Sequence, residues 1–481
     1  MLTNLNSTNV MALLPPPMVL IKPTLLHHQV LHALINELQV IDFKAVAGLK
    51  PDEPLKRNHQ LIITNEQLLI TAKKKDWALC VNENQVYLYN GEYWHHLSRQ
   101  ELNSFLGSAA EKLGINLYDA RYHGFKTELV KQFMSSAYLP KPQKQGNEVL
   151  INLQNGTFAI TPADQSIRAF DRGDFITYQL PFAFDDTATA PIFSDYLNTV
   201  LPDPKLQMIL AEYVGYIFVK QKTLKLEKTL ILYGSGANGK SVFFEILNAL
   251  LGPQNVSNYS LQSLADDKGY HRAMLGGKLL NYASEISPNM NVTIFKQLVS
   301  GEQIEARLPR CEPFTLEDYA KFIFNTNELP KDVEHNEAFY RRFLIIHFGI
   351  TIPEQDRDPE LPTKIIQNEL AGVFNWMLEG LKRLLLNKKF TQSDAVDDML
   401  KSYRLSSDSV QLFIVELGYE ANNQEETSLS QMQIEYKQYC MDAGFRPCSR
   451  PMFTDRLRKA GFDTHRKNTG WVVFAGKKTI I

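Results

Sequence analysis

The stretch GSGANGKS, residues 234–241, constrains what this chain can fold into more than any other. The residues before it, TLILY (229–233), have the composition of a buried strand, and Val242, Ile246 and Leu250 behind it keep helical spacing. Strand, G-x-x-x-x-G-K-[ST] loop and helix together form the context in which backbone N–H groups close around phosphate oxygens. Gly234, Gly236 and Gly239 let the backbone approach closely, and Ser235, Ala237 and Asn238 complete the expected cradle. The helix that begins near Lys240 adds its positive dipole end. Lys240 is expected to reach the β and γ phosphates of ATP, and the Ser241 hydroxyl to hold Mg²⁺. A Gly-rich turn that binds nothing is the bland alternative, and the coincidence of strand, loop and helix weighs against it.

Behind this loop, apolar runs recur at intervals: LLNYASE (279–285), KFIFNTNELP (321–330) and FLIIHF (343–348). Strands alternating with helices predict an α/β domain with a parallel sheet covered on both faces. Active groups in such sheets sit at the carboxyl ends of strands, where Glu285 and Asn327 fall. Glu285 is a candidate to meet the metal shell or polarise a water, and Asn327 to hydrogen-bond that water or the γ-phosphate. Arg341 and Arg342 are candidates for a finger reaching the γ-phosphate of a neighbouring subunit. Taken singly these are weak signals, because a strand-end Glu or Asn is ordinarily a turn residue and an Arg pair ordinarily a solvated face or ion pair.

A length of 481 residues predicts about three domains. Residues 1–80 carry prolines at 15–17 and 23 and a helical pattern around Leu31 to Leu38, without a legible role. Residues 81–195 suggest an α+β domain. Its signals are a hairpin at 86–97 turning on Asn90-Gly91, a capping box Ser98-Arg-Gln-Glu101, and a second hairpin at 149–160 turning on Asn155-Gly156. The paired His95 and His96 are expected on opposite faces of a strand, not as a ligand pair. The run LQMILAEYVGYIF (206–218) predicts a helix leading into the phosphate loop, so a domain border is expected near 195. The net charge of −2 confines any basic surface to local patches. Cys80, Cys311, Cys440 and Cys448 form no C-x-x-C and are expected as thiols in a reducing compartment. The apolar N-terminal stretch is broken by proline, so neither signal peptide nor membrane span is expected, and a cytoplasmic setting follows.

The series GSGANGKS, LLNYASE, FKQLVSGEQIEAR, KFIFNTNELP and AFYRRFLIIHF resembles the superfamily 3 helicases. More narrowly it is similar to the phage, plasmid and poxvirus-type primase-helicase proteins, which carry an AAA+ ATPase core. The resemblance covers roughly residues 85–415 and continues faintly beyond. It implies an ATP hydrolase with Lys240 and Ser241 in Walker A, Glu285 in Walker B, Asn327 as sensor, and Arg341 or Arg342 as a finger acting in trans within a homo-hexameric ring. It also implies that QIEARLPRCEPFTL (303–316) forms a hairpin projecting into a central channel, with Lys296, Arg307 and Arg310 available to single-stranded or duplex DNA. An outward-facing surface role for Arg307 stays open beside that. Two departures stand out. Walker B ends here in the single acid Glu285 after Ser284, and fewer than about 90 residues precede the similar region, too few for a polymerase-like primase domain. Priming is therefore not expected, and a separate primase or initiator would be a partner.

The segment 428–481 changes character, with ten Lys and Arg against four Asp and Glu. Helix, helix and hairpin suggest a C-terminal winged-helix domain, with Arg456, Arg458, Lys459, Arg466 and Lys467 outward toward DNA phosphates. A protein-docking domain with a solvated basic face is the alternative. The expected whole is a replicative DNA helicase of a phage, plasmid or integrated element. An ATP-switched origin-binding initiator and an NTPase acting on protein partners are its rivals.

Overall fold

The structure, a computed structural model, describes residues 25–477 except 83, 139–147, 285, 287–290, 310–311, 331–336 and 469. The chain groups into two compact units, 1–144 with 170–177 and 145–169 with 178–481.

In the first unit, strands Ala78–Asn82, Gln85–Tyr89 and Trp94–Leu97 form an antiparallel sheet. Val30 and Leu34 of helix His27–Glu37 and Leu68 of helix Arg57–Lys74 bury into the same core as Leu79 and Leu88 of the sheet and Phe105 and Leu129 of later helices. The helices before residue 78 thus share the core of the strands that follow. The capping box forms as expected, with Ser98 N–H donating to Glu101 Oε2 at 2.8 Å and Glu101 N–H to Ser98 Oγ at 3.2 Å. The turn at Asn90-Gly91 differs from expectation. Tyr89 pairs with Trp94, leaving a four-residue loop in which the Asn90 carboxamide accepts from the N–H groups of Glu92 and Tyr93. The side chain closes the turn here, so the two-residue rule does not apply.

His27 sits buried at this loop, its Nε2 3.1 Å from the Tyr93 carbonyl and its ring 4.9 Å from that of His95. Burial pushes its pKa down to about 4, with the neighbouring His95 and His28 adding to the effect. The unfolded chain therefore binds the extra proton between about pH 6.5 and 4. The contribution to stability is complete above that window and is lost as the pH falls through it. Protection of the Val30 and Leu34 amides, corrected for the intrinsic exchange rate at each pH, should fall as the pH drops across that window, and His27→Gln should flatten the dependence. An unchanged slope in the variant would place the sensitivity elsewhere.

In the second unit, strands Val149–Leu153, Gly156–Ile160 and Gln165–Arg168 form an antiparallel sheet. Leu153 pairs with Gly156, so the turn residues are Gln154-Asn155, one position earlier than the sequence suggests; Gly156, at φ 149°, opens the next strand. Helices α1 (Pro191–Val200) and α2 (Pro204–Tyr216) then lead to the central sheet of β1 (Thr229–Tyr233), β2 (Val256–Ser257), β3 (Leu280–Ser284), β4 (Lys321–Thr326) and β5 (Phe343–His347). All five run parallel in the order β5-β1-β4-β3-β2. Alternation sorts their side chains to two faces. Leu230, Leu232, Tyr282, Ile323 and Ile346 face helices α2, α3 (Lys240–Leu251) and α5 (Leu370–Asn387), in one core with the antiparallel sheet. Ile231, Ala283, Phe324 and Ile345 face Phe295 and Leu298 of α4 (Val292–Ser300) and Tyr403 of α6 (Asp394–Ser407). A sheet buried on both faces explains why its strands read as continuous apolar runs.

The last part adds helix α7 (Ser409–Glu416), strand β6 (Tyr419–Ser428), helices α8 (Leu429–Asp442) and α9 (Arg450–Lys459), and strands β7 (Thr464–Lys467) and β8 (Gly470–Lys477). The strands pair in the order β6-β8-β7, and Phe413, Met432, Tyr436, Phe453, Leu457 and Val473 share one core. The sequence suggested this body only from residue 428. Strand β6, YEANNQEETS, is polar and mostly exposed, so no apolar alternation announces it. Among the described residues no helix is long and apolar enough to cross a membrane.

Candidate functional site

The order of the sheet places β1 between β5 and β4, so its carboxyl end is flanked on both sides. The loop leaving β1 is strapped to each neighbour. Gly234 N–H donates to the Thr326 carbonyl at the end of β4 (3.2 Å), and Asn238 Nδ2 donates to the Phe348 carbonyl just past β5 (2.9 Å). Ile352 N–H donates to the Ala237 carbonyl at 2.8 Å, and the Tyr196 hydroxyl of α1 donates to the Gly239 carbonyl at 2.9 Å.

Two glycines are required by contact. A Cβ on Gly234 would lie 2.2 Å from Asn238 Nδ2 and 2.4 Å from the Phe348 oxygen. Gly239 has φ +87°, and a Cβ there would lie 2.8 Å from Val200 Cγ1.

Lys240 is 6% exposed, and its ammonium donates to the Gly234 carbonyl (2.7 Å) and Asn238 Oδ1 (2.9 Å), inside the loop. Burial pushes its pKa below the usual lysine value. Ser235, Ala237 and Ser241 are exposed at the mouth of the loop. Helix α3 starts at Gly239 with no side chain capping it, which leaves first-turn N–H groups for an external acceptor. An uncapped helix start with one buried ammonium and one exposed hydroxyl fits a phosphate and a hard, oxygen-loving cation.

Asn327 is exposed one residue past β4, next to the loop. Asn325, two residues earlier, is engaged instead by the Tyr282 hydroxyl of β3 at 2.9 Å. Glu285 lies outside the described residues, and among the described residues no group of three or more His, Cys, Asp or Glu could hold a metal ion.

The two adjacent arginines share one carboxylate, with Arg342 Nη2 3.9 Å from Glu227 Oε2, and otherwise part company. Arg341 has 55% of its side chain exposed and pairs with Glu227 at 3.2 Å. Arg342 is 6% exposed; its Nη2 donates to Ser300 Oγ (2.8 Å), its Nε lies 3.3 Å from the Lys296 carbonyl, and its Nη1 donates to the Ala338 carbonyl.

The hairpin forms from Ile304–Ala306 and Phe314–Leu316, antiparallel. Arg307 is exposed just past its first strand, Lys296 is half-buried on α4, and Arg310 lies outside the described residues. A residue that sequence reasoning missed holds the hairpin's base. Arg272, 4% exposed, donates to the Glu305, Leu264 and Asp266 carbonyls. Its only sequence cue is a basic residue in the short YHRA helix (270–273), which resembles any surface arginine.

In the C-terminal part, Arg456 was expected outward. It turns instead to Asp408, 3.4 Å away, and is only 15% exposed in its side chain. Arg458 donates to Thr464 Oγ1 (2.7 Å) with its guanidinium 5.8 Å from the Trp471 ring, Lys459 pairs with Asp455 (2.7 Å), Lys467 pairs with Glu426, and Arg466 is exposed opposite Trp471 in the hairpin register. Trp471, unflagged by the sequence reading, is exposed beside these cations.

A family of unknown function, DUF5906, matches residues 232–342, and a family described as "D5 N terminal like" matches residues 66–202. The chain is 25% identical over 246 residues to a protein of Acanthamoeba polyphaga mimivirus named "Putative helicase L207/L206", covering 47% of this chain and 24% of that protein. The chain thus spans about a quarter of the length of this curated relative. Among solved structures, the A form of the apo NrS-1 C-terminal region is 12% identical with a TM-score of 0.46 over 85% of this chain and 98% of that one. A second A-form structure of that region (305–718) gives 12% and 0.48 over 86% and 99%.

Proposed function

We propose that this chain is an ATP-driven DNA helicase of the superfamily 3 type, working in replication of a virus, phage, plasmid or integrated element. The observation that carries this reading is the strapped loop at 234–241, with buried Lys240 and exposed Asn327 at the tips of adjacent strands. The β5-β1-β4-β3-β2 sheet is consistent with an AAA+ core, and the α7–β8 body with a winged helix that binds DNA. The similarity to a mimivirus protein named as a helicase lends support from outside the chain.

In this reading the loop's N–H groups hold the phosphates, and Lys240 exchanges its carbonyl partners for phosphate oxygens. Mg²⁺, held by the Ser241 hydroxyl and a carboxylate for which Glu285 is the candidate, would neutralise charge on the phosphates. Asn327 orients the attacking water from β4. Arg341 supplies positive charge to the nucleotide of a neighbouring subunit in a homo-hexameric ring, while the 304–316 hairpin, with Arg307, Arg310 and Lys296 nearby, follows the DNA backbone. Arg458, Arg466 and Lys467 of the C-terminal body provide further phosphate contacts.

The test is ATP turnover with and without single-stranded DNA, on protein sized by light scattering. Stimulation on a hexamer-sized particle is expected. Turnover indifferent to single strands, with duplex binding intact, would instead assign an initiator that uses ATP as a switch; indifference to all nucleic acid would assign an NTPase acting on protein partners.

A further inference from the structure

The division of labour between Arg341 and Arg342 suggests how a nucleotide site and the hairpin communicate. Helix α4 grips the arginine segment in two ways. Its Phe295, fully buried, packs against Phe339 and Phe343, which bracket the arginine pair in the chain, at ring-centroid distances of 5.4 and 5.3 Å. Its last turn accepts the Arg342 guanidinium at the Ser300 hydroxyl and the Lys296 carbonyl.

That same end of α4 is continuous with the hairpin. Gly301 closes the helix in the left-handed conformation (φ 63°), and the first hairpin strand starts at Ile304. The returning strand is tied back to the same place. The Tyr319 hydroxyl lies 3.2 Å from the Leu298 carbonyl and 2.9 Å from the Glu302 carbonyl. Both legs of the hairpin therefore hang on the last turn of α4, and that turn hangs on Arg342.

We propose that Arg342 is a positioning residue: a pin that joins the exposed arginine segment to α4, so that displacement of Arg341 by a neighbour's nucleotide moves the hairpin. This inference rests on the helicase reading above. A packed helix passes such a displacement as a rigid element because its buried side chains have few alternative arrangements. Arg342 cannot reach outward without giving up its hydrogen bonds to Ser300, Lys296 and Ala338, whereas Arg341 needs only to leave Glu227, a half-buried carboxylate that Arg342 also faces at 3.9 Å.

The test compares Arg342→Gln and Ser300→Ala with the unaltered protein. Three quantities are measured on each: ATP turnover without DNA, the stimulation by oligo-dT, and hydrogen exchange of hairpin amides on adding Mg·ADP or a non-hydrolysable ATP analogue. Both variants are expected to keep basal turnover within about twofold and to lose most of the DNA stimulation. The nucleotide-dependent change in exchange at 304–316 should vanish in both, and the double variant should be no worse than either single one, as coupled partners require.

Loss of basal turnover in Arg342→Gln with nucleotide binding intact would make Arg342 the finger and overturn the proposal. Full stimulation in both variants would reduce the contact to packing and overturn it equally. Should Arg342→Gln fail to fold, Ser300→Ala decides alone, because it removes only a hydroxyl. If the unaltered protein shows no DNA stimulation, the helicase reading fails on its own. The exchange measurement then still decides the pin: a nucleotide response at the hairpin that Ser300→Ala abolishes supports it, and none overturns it.

Discussion

Replacing Lys240 by alanine is expected to lower ATP turnover by roughly 10²- to 10³-fold or more, the scale of losing one preorganised positive group at a reacting phosphate. The ammonium sits in the loop with two oxygen partners, at 2.7 and 2.9 Å, at the uncapped start of α3. Its burial lowers its pKa, so removing it also relieves a desolvation penalty, while leaving the Gly234 carbonyl and Asn238 Oδ1 without this donor. The melting temperature should accordingly change little, which separates a chemical defect from a folding one. Phosphate release measured beside a nucleotide-binding titration provides the check. Turnover within tenfold of the unaltered protein would remove the loop from the chemistry.

Arg341→Ala is expected to cost about 10³-fold in turnover, the lower end for an arginine that reaches a transferring phosphoryl group. Nucleotide affinity of the isolated site should be nearly unchanged. Arg341 is tethered at Glu227, and the Lys228 ammonium holds its carbonyl at 2.5 Å, so the backbone is fixed while the side chain is 55% exposed. An exposed ion pair of this kind is worth little to stability, so the variant should fold normally. A mixing experiment tests action in trans. Subunits carrying Arg341→Ala retain an intact loop, and subunits carrying Lys240→Ala retain Arg341, so a mixed ring should recover part of the turnover that each lacks alone. No recovery, or an Arg341→Ala protein with ordinary turnover, would exclude the finger.

Much of the strand, glycine-rich loop and helix at 229–251 was legible because its requirements are local. A strand, three glycines, a lysine and a helix follow one another within residues 229–251, and chain order alone displays them. The strands of the sheet were legible for a related reason, since burial on both faces demands uninterrupted apolar runs such as TLILY and FLIIH. Side-chain partners at long range were not. Arg341 and Arg342 are indistinguishable in sequence, and the Ser300 hydroxyl and Lys296 carbonyl of α4, with the Ala338 carbonyl, hold one of them inward. Arg456 keeps the spacing of an outward helix residue, yet Asp408, 48 positions away, draws it in. Short-range turn chemistry also misled where a side chain substituted for backbone, as at Asn90.

What the sequence by itself determined, then, is the strand, glycine-rich loop and helix of residues 229–251 and the α/β character of the sheet, because local geometry and two-sided burial leave marks at fixed spacing. Tertiary structure alone decided the strand order that sets Asn327 beside the loop, the inclusion of polar β6 in the C-terminal body, and the opposite fates of two neighbouring arginines. Those depend on which distant groups arrive within hydrogen-bonding distance, a quantity that no spacing along the chain encodes.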